Sequence, residues 1–375
     1  MSWLYRQAIR PFLFRCDSER IHRRVLDFLG RISRSRAGLN LTRHLYGAER
    51  ISPVRCFGLE FPNPVGLAAG MDKFAEAVPV WEALGFGFAE LGGVTWLEQP
   101  GNPAPRMFRV PCDRALINRM GFNNPGAEAL ARSLRGWRER GFWPAHPVGI
   151  NLGKSKATPL EQAAEDYEKS FRCLRAWADF FVVNVSSPNT PNLRQLQDKQ
   201  ALDEILDRLQ RVNREPLSGS PPAPRPILVK VAPDLSFEAL DEILALAEPR
   251  GLAGIVATNT TIARPEGVKD EDPSRRSYRE QGGMSGAPLR RRSTEVIRHL
   301  FKQSRGKVPL IGVGGIFDED DAWEKVTAGA TLVQCYTGLV YEGPGLAARL
   351  VRGLRRCMER EGVRDWSEAV GSACR

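Results

Sequence analysis

The chain is poor in metal-ligating side chains: it has four histidines in 375 residues, none in a HExxH pair, and its seven cysteines include no CxxC. The usual zinc enzymes are thereby excluded and no metal is expected. Cys16, Cys56, Cys112, Cys173, Cys335, Cys357 and Cys374 are odd in number and widely scattered, which predicts reduced thiols and no disulfide framework. Also missing is any uninterrupted apolar run of about 20 residues, so no spanning helix is predicted. The N-terminus, MSWLYRQAIRPFLFRC, is broken by Arg6, Arg10, Pro11 and Arg15, too often for a secretory core. A non-exported protein is expected.

What is present is an ordinary globular balance, 42% hydrophobic and 26% charged, which excludes a mainly disordered chain. The length suits one large domain with an appendage. A net charge of +10 admits nucleic acid, an anionic membrane, an anionic substrate or simply a basic exterior. The interleaved aromatic and basic residues of a strand-binding groove are not visible, so no nucleic-acid partner is expected.

Short β-branched runs that end in Gly, Ser, Thr or Asn and lead into helical periodicity recur eight times from Val65 onward. The predicted strands are Val65–Ala69, Phe88–Val94, Val148–Leu152, Phe180–Val185, Ile227–Val231, Gly254–Thr258, Pro309–Val313 and Leu332–Tyr336. Helical stretches follow them, among them Ala75–Leu84, Glu128–Arg138, Leu160–Trp177, Leu202–Arg211, Phe237–Glu248, Arg291–Phe301, Asp320–Thr327 and Leu346–Glu361. Near-continuous apolar strands suit a parallel sheet buried on both faces, and strict alternation favours an α/β fold closed as a (β/α)₈ TIM barrel over an open sheet. The expected division is an amphipathic helical segment over 1–45 and the barrel over 46–375. In the first part Ile21, Val25, Leu29 and Ile32 share one face of two short helices, with Arg20, Arg23, Arg24 and Arg31 elsewhere. Phe57–Pro64 reads as a hairpin across the barrel bottom, Ser218–Pro226 as a loop, and Gly267–Gln281 as a charged, mobile loop.

In such a barrel the chemistry collects just past the strands. There the sequence reads AAGMDK (68–73), GGVT (92–95), NLGKSK (151–156), NVSSPNTPNLR (184–194), KVAPD (230–234), TNTT (258–261), GVGGI (312–316) and YTG (336–338), with LINRMGFNN (116–124) between the second and third strands. Taken singly, such residues are turn formers and helix caps. Together, Asn118, Asn151, Asn184, Asn189 and Asn259 offer fixed donors and acceptors to a planar polar ligand, and Lys73 and Lys230 add cations. GVGGI offers backbone N–H groups to a phosphate, although it lacks the GxGxxG spacing of a dinucleotide fold.

This ordered set resembles the class 2, quinone-using dihydroorotate dehydrogenases over nearly the whole chain from about Ser18. The resemblance implies a flavoprotein barrel that oxidises dihydroorotate to orotate in pyrimidine biosynthesis, carries FMN, and passes electrons to ubiquinone or menaquinone. Residue by residue, Ser187 matches the catalytic base, where the soluble class 1 branch has cysteine; only this match separates it from Ser186. Lys73, Asn118, Arg119, Met120, Gly121 and Phe122, together with Asn184, Asn189, Asn259 and Thr260, match the dihydroorotate site. Ala69, Gly70, Met71, Asp72, Lys73 and Gly93 match FMN-binding positions, as do Asn151, Asn184, Lys230 and Thr258. Gly286, Gly315, Tyr336 and Thr337 complete that set. His22 and Arg109 match the quinone tunnel; read alone they are a surface histidine and a solvated charge. One departure is Gly93, where the family usually has Ser or Thr, leaving Thr95 as the alternative hydroxyl. The resemblance further implies a monomer held peripherally on the cytoplasmic side of the cell inner membrane. The competing readings are an aldolase-type barrel with Lys230 as Schiff-base nucleophile, a basic nucleic-acid scaffold, and a class 1 enzyme.

Overall fold

The computed structural model describes residues 2–49, 51–217, 224–267 and 272–374. In chain order the strands are β1 (Val54–Cys56), β2 (Leu59–Phe61), β3 (Val65–Leu67), β4 (Phe88–Val94), β5 (Met107–Val110), β6 (Ala115–Asn118) and β7 (Val148–Leu152). They continue with β8 (Phe180–Asn184), β9 (Ile227–Val231), β10 (Gly254–Ala257), β11 (Gly283–Gly286), β12 (Leu310–Val313) and β13 (Leu332–Cys335). Eight of them close a parallel barrel in the order β3-β4-β7-β8-β9-β10-β12-β13, with β13 returning to β3. All eight expected barrel strands are there. Their ends differ by two residues or fewer, because the strand-end residues turn outward into the loops that build the site.

Alternation along each strand sends every second side chain into the barrel. Phe88, Phe180, Val182, Leu228, Val256, Ile311 and Leu332 form an apolar interior cluster. The β1–β2 hairpin adds Phe61, whose ring meets Phe88 edge-on at 5.3 Å. Burying Phe61 completely is worth about 1.5–3 kcal/mol in transfer free energy, enough to hold a two-stranded hairpin that is marginal in water by itself. The expected hairpin therefore exists, beginning at Val54.

Helices cover the outside. The N-terminal part corrects the expectation of two helices: Ser2–Leu4, a π-helical turn Tyr5–Ile9 and Arg10–Leu13 precede the helices Ser18–Ser33 and Arg36–Tyr46. Pro11 follows directly on the π-helical turn, inside a helical run that continues without a break from Ser2 to Leu13. Asp17 and Ser35 cap the next two helices by accepting from Arg20 N and Gly38 N. These helices dock on the barrel through buried Leu26 and Leu39 and through Arg23 to Glu76 at 2.7 Å and Arg106 to Glu19 at 2.7 Å.

A second correction concerns an element the sequence reading passed over. The strands β5, β6 and β11 form a three-stranded antiparallel sheet beside the barrel mouth. The charged loop is also more ordered than expected: past residues 268–271, which lie outside the described residues, Pro273–Arg279 is a 3-10 helix. Arg275 grips Asp113 at 2.8 Å and the Tyr278 hydroxyl donates to the same carboxylate at 3.0 Å. Of the loop expected over Ser218–Pro226, residues 218–223 lie outside the described residues.

Candidate active site

A cavity of about 1110 Å³, including its open mouth, lies at the C-terminal ends of the barrel strands. Among the expected site residues it is lined by Ala69, Gly70, Lys73, Gly93, Asn118, Met120, Gly121 and Phe122 from the first part of the chain. Asn151, Asn184, Ser187, Asn189, Lys230, Thr258, Asn259 and Thr260 line it from the middle strands. Gly286, Gly315, Tyr336 and Thr337 complete it. The β5, β6 and β11 sheet forms one wall, contributing Met107, Leu116, Asn118, Ser285 and Gly286.

Three of the residues expected to bind FMN or substrate are not brought to this cavity. The Asp72 carboxylate faces away, accepting from the N–H groups of Glu76 and Ala77 at 2.9 Å each and from Trp81 Nε1 at 3.1 Å, so it builds the turn after β3. Met71 packs into the main core. Arg119 turns outward to Glu280 at 2.7 Å. The adjacent motif residues were carried along by sequence proximity, whereas side-chain direction alternates.

One end of the cavity is a web of amides. Asn189 Nδ2 donates to Asn118 Oδ1 at 3.1 Å, and Asn259 Nδ2 donates to Asn184 Oδ1 at 3.1 Å. The Asn189 N–H donates to Ser187 Oγ at 3.3 Å. Ser186 is fully buried, with its hydroxyl donating to Asn184 Oδ1 at 3.1 Å and accepting from Asn259. Of the two serines, Ser187 is the one on the cavity wall. Lys73 Nζ donates to Asn123 Oδ1 at 2.6 Å. Burial, with the Arg106 charge nearby, pulls its ammonium down to about 7.

Thr95 does not compensate for Gly93. Its hydroxyl donates to the Leu97 carbonyl at 2.6 Å and accepts from Asn124 Nδ2 at 2.8 Å, outside the cavity. A Cβ on Gly93 would come within 2.6 Å of the Phe122 ring and 3.0 Å of Asn151 Oδ1, so Phe122 occupies the space a hydroxyl-bearing residue would need.

The opposite end is edged by backbone. Gly315 adopts φ +74°, where a Cβ would strike Arg290 at 2.5 Å. Arg290 holds this turn from behind, donating to Gly315 O at 3.0 Å while pairing with Asp321 at 2.8 Å.

His22 and Arg109 do not line the cavity. Arg109 lies in the seam between the N-terminal helices and the barrel, donating to Cys16 O at 2.8 Å, with its guanidinium 4.6 Å from the Phe14 ring centre. His22 is half-buried on the helix Ser18–Ser33. Burial, reinforced by the Lys73 charge, lowers its pKa to about 4, which leaves it neutral. Sequence reasoning missed Glu90 and Gln334, both fully buried within barrel strands. The signal was available: a Glu and a Gln inside otherwise apolar strands, two steps before the rim.

The family model described as Dihydroorotate dehydrogenase matches residues 52–358. A relative from Gloeobacter violaceus named dihydroorotate dehydrogenase (quinone) is 53% identical over 371 residues, 99% of each chain. Another of that name, from Thermosynechococcus vestitus, is 52% identical over 369 residues, 95% of this chain and 98% of its own. Among solved structures, the ligand-free type DHODH from Eimeria tenella superposes with a TM-score of 0.81 at 36% identity, covering 90% of this chain and 98% of its own.

Proposed function

This chain belongs to the dihydroorotate dehydrogenase family, in its quinone-dependent branch, and we propose that it oxidises dihydroorotate to orotate with FMN as hydride acceptor and a quinone as terminal acceptor, in pyrimidine biosynthesis. The observation that carries the reading is one cavity holding Ser187, the asparagine web, two buried lysines and a glycine edge together.

The residues present fit FMN. Gln334 Oε1 is buried without a partner on the cavity wall, a polar atom in want of a donor such as a ring N–H. The backbone around Gly314, Gly315 and Gly338 is bare of side chains where a phosphate would lie. Ala69, Gly70, Gly93, Asn151, Lys230 and Thr258 would hold the ring system, with Gly286, Tyr336 and Thr337 nearer the phosphate. Bound there, FMN supplies a two-electron acceptor for the hydride from C6 of the substrate and returns the electrons to quinone.

The chain's own residues do the rest. Lys73 meets the substrate carboxylate, and Asn118, Asn184, Asn189, Asn259 and Thr260 clamp the ring edges, which fixes the reacting hydrogens. Met120, Gly121 and Phe122 form the wall beside them. Ser187 Oγ takes the C5 proton as its own hydroxyl proton passes on through hydrogen bonds to solvent. A serine hydroxyl is a weak base, so its value lies in placement: the Asn189 N–H occupies one Oγ lone pair and aims another into the cavity.

The first 45 residues form the quinone-side module, and 46–375 the flavin barrel. Eight of the eleven exposed large hydrophobic residues among those described lie in the module: Trp3, Leu4, Ile9, Phe12, Val25, Phe28, Leu41 and Leu45. With arginines between them they suit the headgroup layer of a membrane. No helix among the described residues is long and apolar enough to cross one. The reading we propose is peripheral attachment on the cytoplasmic face of the inner membrane, with quinone entering along the seam at His22 and Arg109.

The test is anaerobic absorbance of the purified protein before and after dihydroorotate, then after a short-chain ubiquinone. A flavin spectrum that bleaches and returns is expected. A colourless protein that cannot be reconstituted with FMN, and that borohydride traps on a carbonyl substrate through Lys230, would replace this reading with the aldolase one.

A further inference from the structure

Glu90 stands in the middle of β4, where period-two alternation turns it into the barrel. It lies between the apolar plug below and the cavity above, with no exposed surface. A carboxylate so placed is costly unless donors surround it. Two do, Asn151 Nδ2 at 2.6 Å and Gln334 Nε2 at 2.6 Å, and Lys230 Nζ faces it as an ion pair at 3.7 Å. All three partners line the cavity, and Glu90 does not.

A carboxylate only accepts, so its neighbours must present donors, and that requirement propagates. With its NH₂ committed to Glu90, Asn151 offers Oδ1 to Asn184 Nδ2 at 2.8 Å. Asn184 in turn offers Oδ1 to Asn259 Nδ2 at 3.1 Å. Three cavity amides thus share one sense, set from one end. The same rule turns Gln334 so that Oε1 is left unpartnered.

We propose that Glu90 is a positioning residue for this reaction: from below the floor it fixes the sense of the Asn151–Asn184–Asn259 chain and balances the charge that Lys230 presents to the flavin. The proposal rests on the flavin reading above. Because Glu90 touches no ligand, it acts through its neighbours alone.

Glu90→Gln keeps the volume, removes the charge and adds a donor. In the full-length FMN-bound protein we expect the two-electron midpoint potential of the flavin to rise, since the Lys230 charge is no longer offset as the ring gains electrons. A tenfold shift in that equilibrium corresponds to about 30 mV. The dissociation constant for orotate, read by titrating the flavin absorbance, rises about tenfold because the amide sense is no longer imposed. Glu90→Asp, which keeps the charge, restores the potential. In a Lys230→Met background the potential no longer responds to Glu90→Gln. An FMN-loaded Glu90→Gln protein with unchanged potential and orotate affinity overturns the proposal, as does an equal potential shift in both backgrounds. If Glu90→Gln holds no FMN, Glu90→Asp decides: FMN retained near the wild-type potential supports the proposal, and an equally empty Asp variant overturns it. The wild-type protein separates the two readings. Bleaching of its flavin by dihydroorotate upholds the function whatever Glu90→Gln does, whereas a colourless wild type defeats the function itself.

Discussion

The barrel mouth and the N-terminal helices break the rule of apolar inside and polar outside in opposite directions. At the mouth, Lys73, Asn151, Asn184, Ser187 and Lys230 are buried. In the N-terminal helices, Trp3 and Phe12 each remain 67% exposed. Both arrangements forgo folding stability, since buried polar groups lose water and exposed rings keep it ordered. What folding forgoes, binding recovers: the mouth is built for a polar planar ligand, the helices for an apolar phase. On the function proposed above, the contrast would set the two half-reactions apart in space, with the seam at Arg109 between them.

The sharpest way to break this division is at the mouth. Ser187→Ala should slow flavin reduction by dihydroorotate by about 10²–10⁴-fold, while FMN content and reoxidation by quinone stay near wild type. Anaerobic stopped-flow absorbance reads both phases; normal reduction would remove Ser187 from the base role. At the other region, Trp3→Ser combined with Phe12→Ser should weaken binding to anionic vesicles by about two to four orders of magnitude, on the basis of about 1.5–3 kcal/mol for each ring fully buried. Sedimentation with vesicles measures it, and bleaching by dihydroorotate should not change.

A third prediction uses the pH. Lys73 has its pKa lowered from 10.5 to about 7, so it is charged below pH 7 and loses its proton as pH rises through that value. Orotate affinity should therefore fall about tenfold per pH unit above pH 7, and Lys73→Met should abolish that slope, as fluorescence or absorbance titration would show. The smallest effect concerns Gly93. Gly93→Ala would press on Phe122 at 2.6 Å, and overpacking of this kind costs about 1–3 kcal/mol. A lowered Tm with weakened orotate binding is expected, whereas an unchanged Tm would mean that Phe122 swings clear.

How much of this was legible in the sequence follows the same division. Barrel strands buried on both faces are continuous apolar runs, and β4, β7 and β9 were bounded to the residue. The rim asparagines were legible because polar residues at the ends of such runs stand out. The β5–β6 hairpin was not: its two four-residue strands flank Pro111–Asp113, with Arg114 at φ 47°, and their alternation is too short to stand out. Asp72 was misplaced because a motif read as a string hides the direction of each side chain. Glu90 and Gln334 lie inside the strands and not at their ends, yet a charged or polar residue inside an apolar strand signals a partner. His22 and Arg109 took their assignment from resemblance alone, since their setting depends on helices that return to the barrel from far away in sequence.

The most direct test of the division of labour uses protein reduced with dihydroorotate and then reoxidised, in parallel, by a soluble short-chain quinone and by a long-chain quinone embedded in vesicles. For the Trp3→Ser and Phe12→Ser double variant, the account predicts wild-type reoxidation by the soluble quinone and a severe loss with the embedded one. Equal rates with both acceptors would contradict it, because the N-terminal helices would then have no part in bringing the site to the membrane.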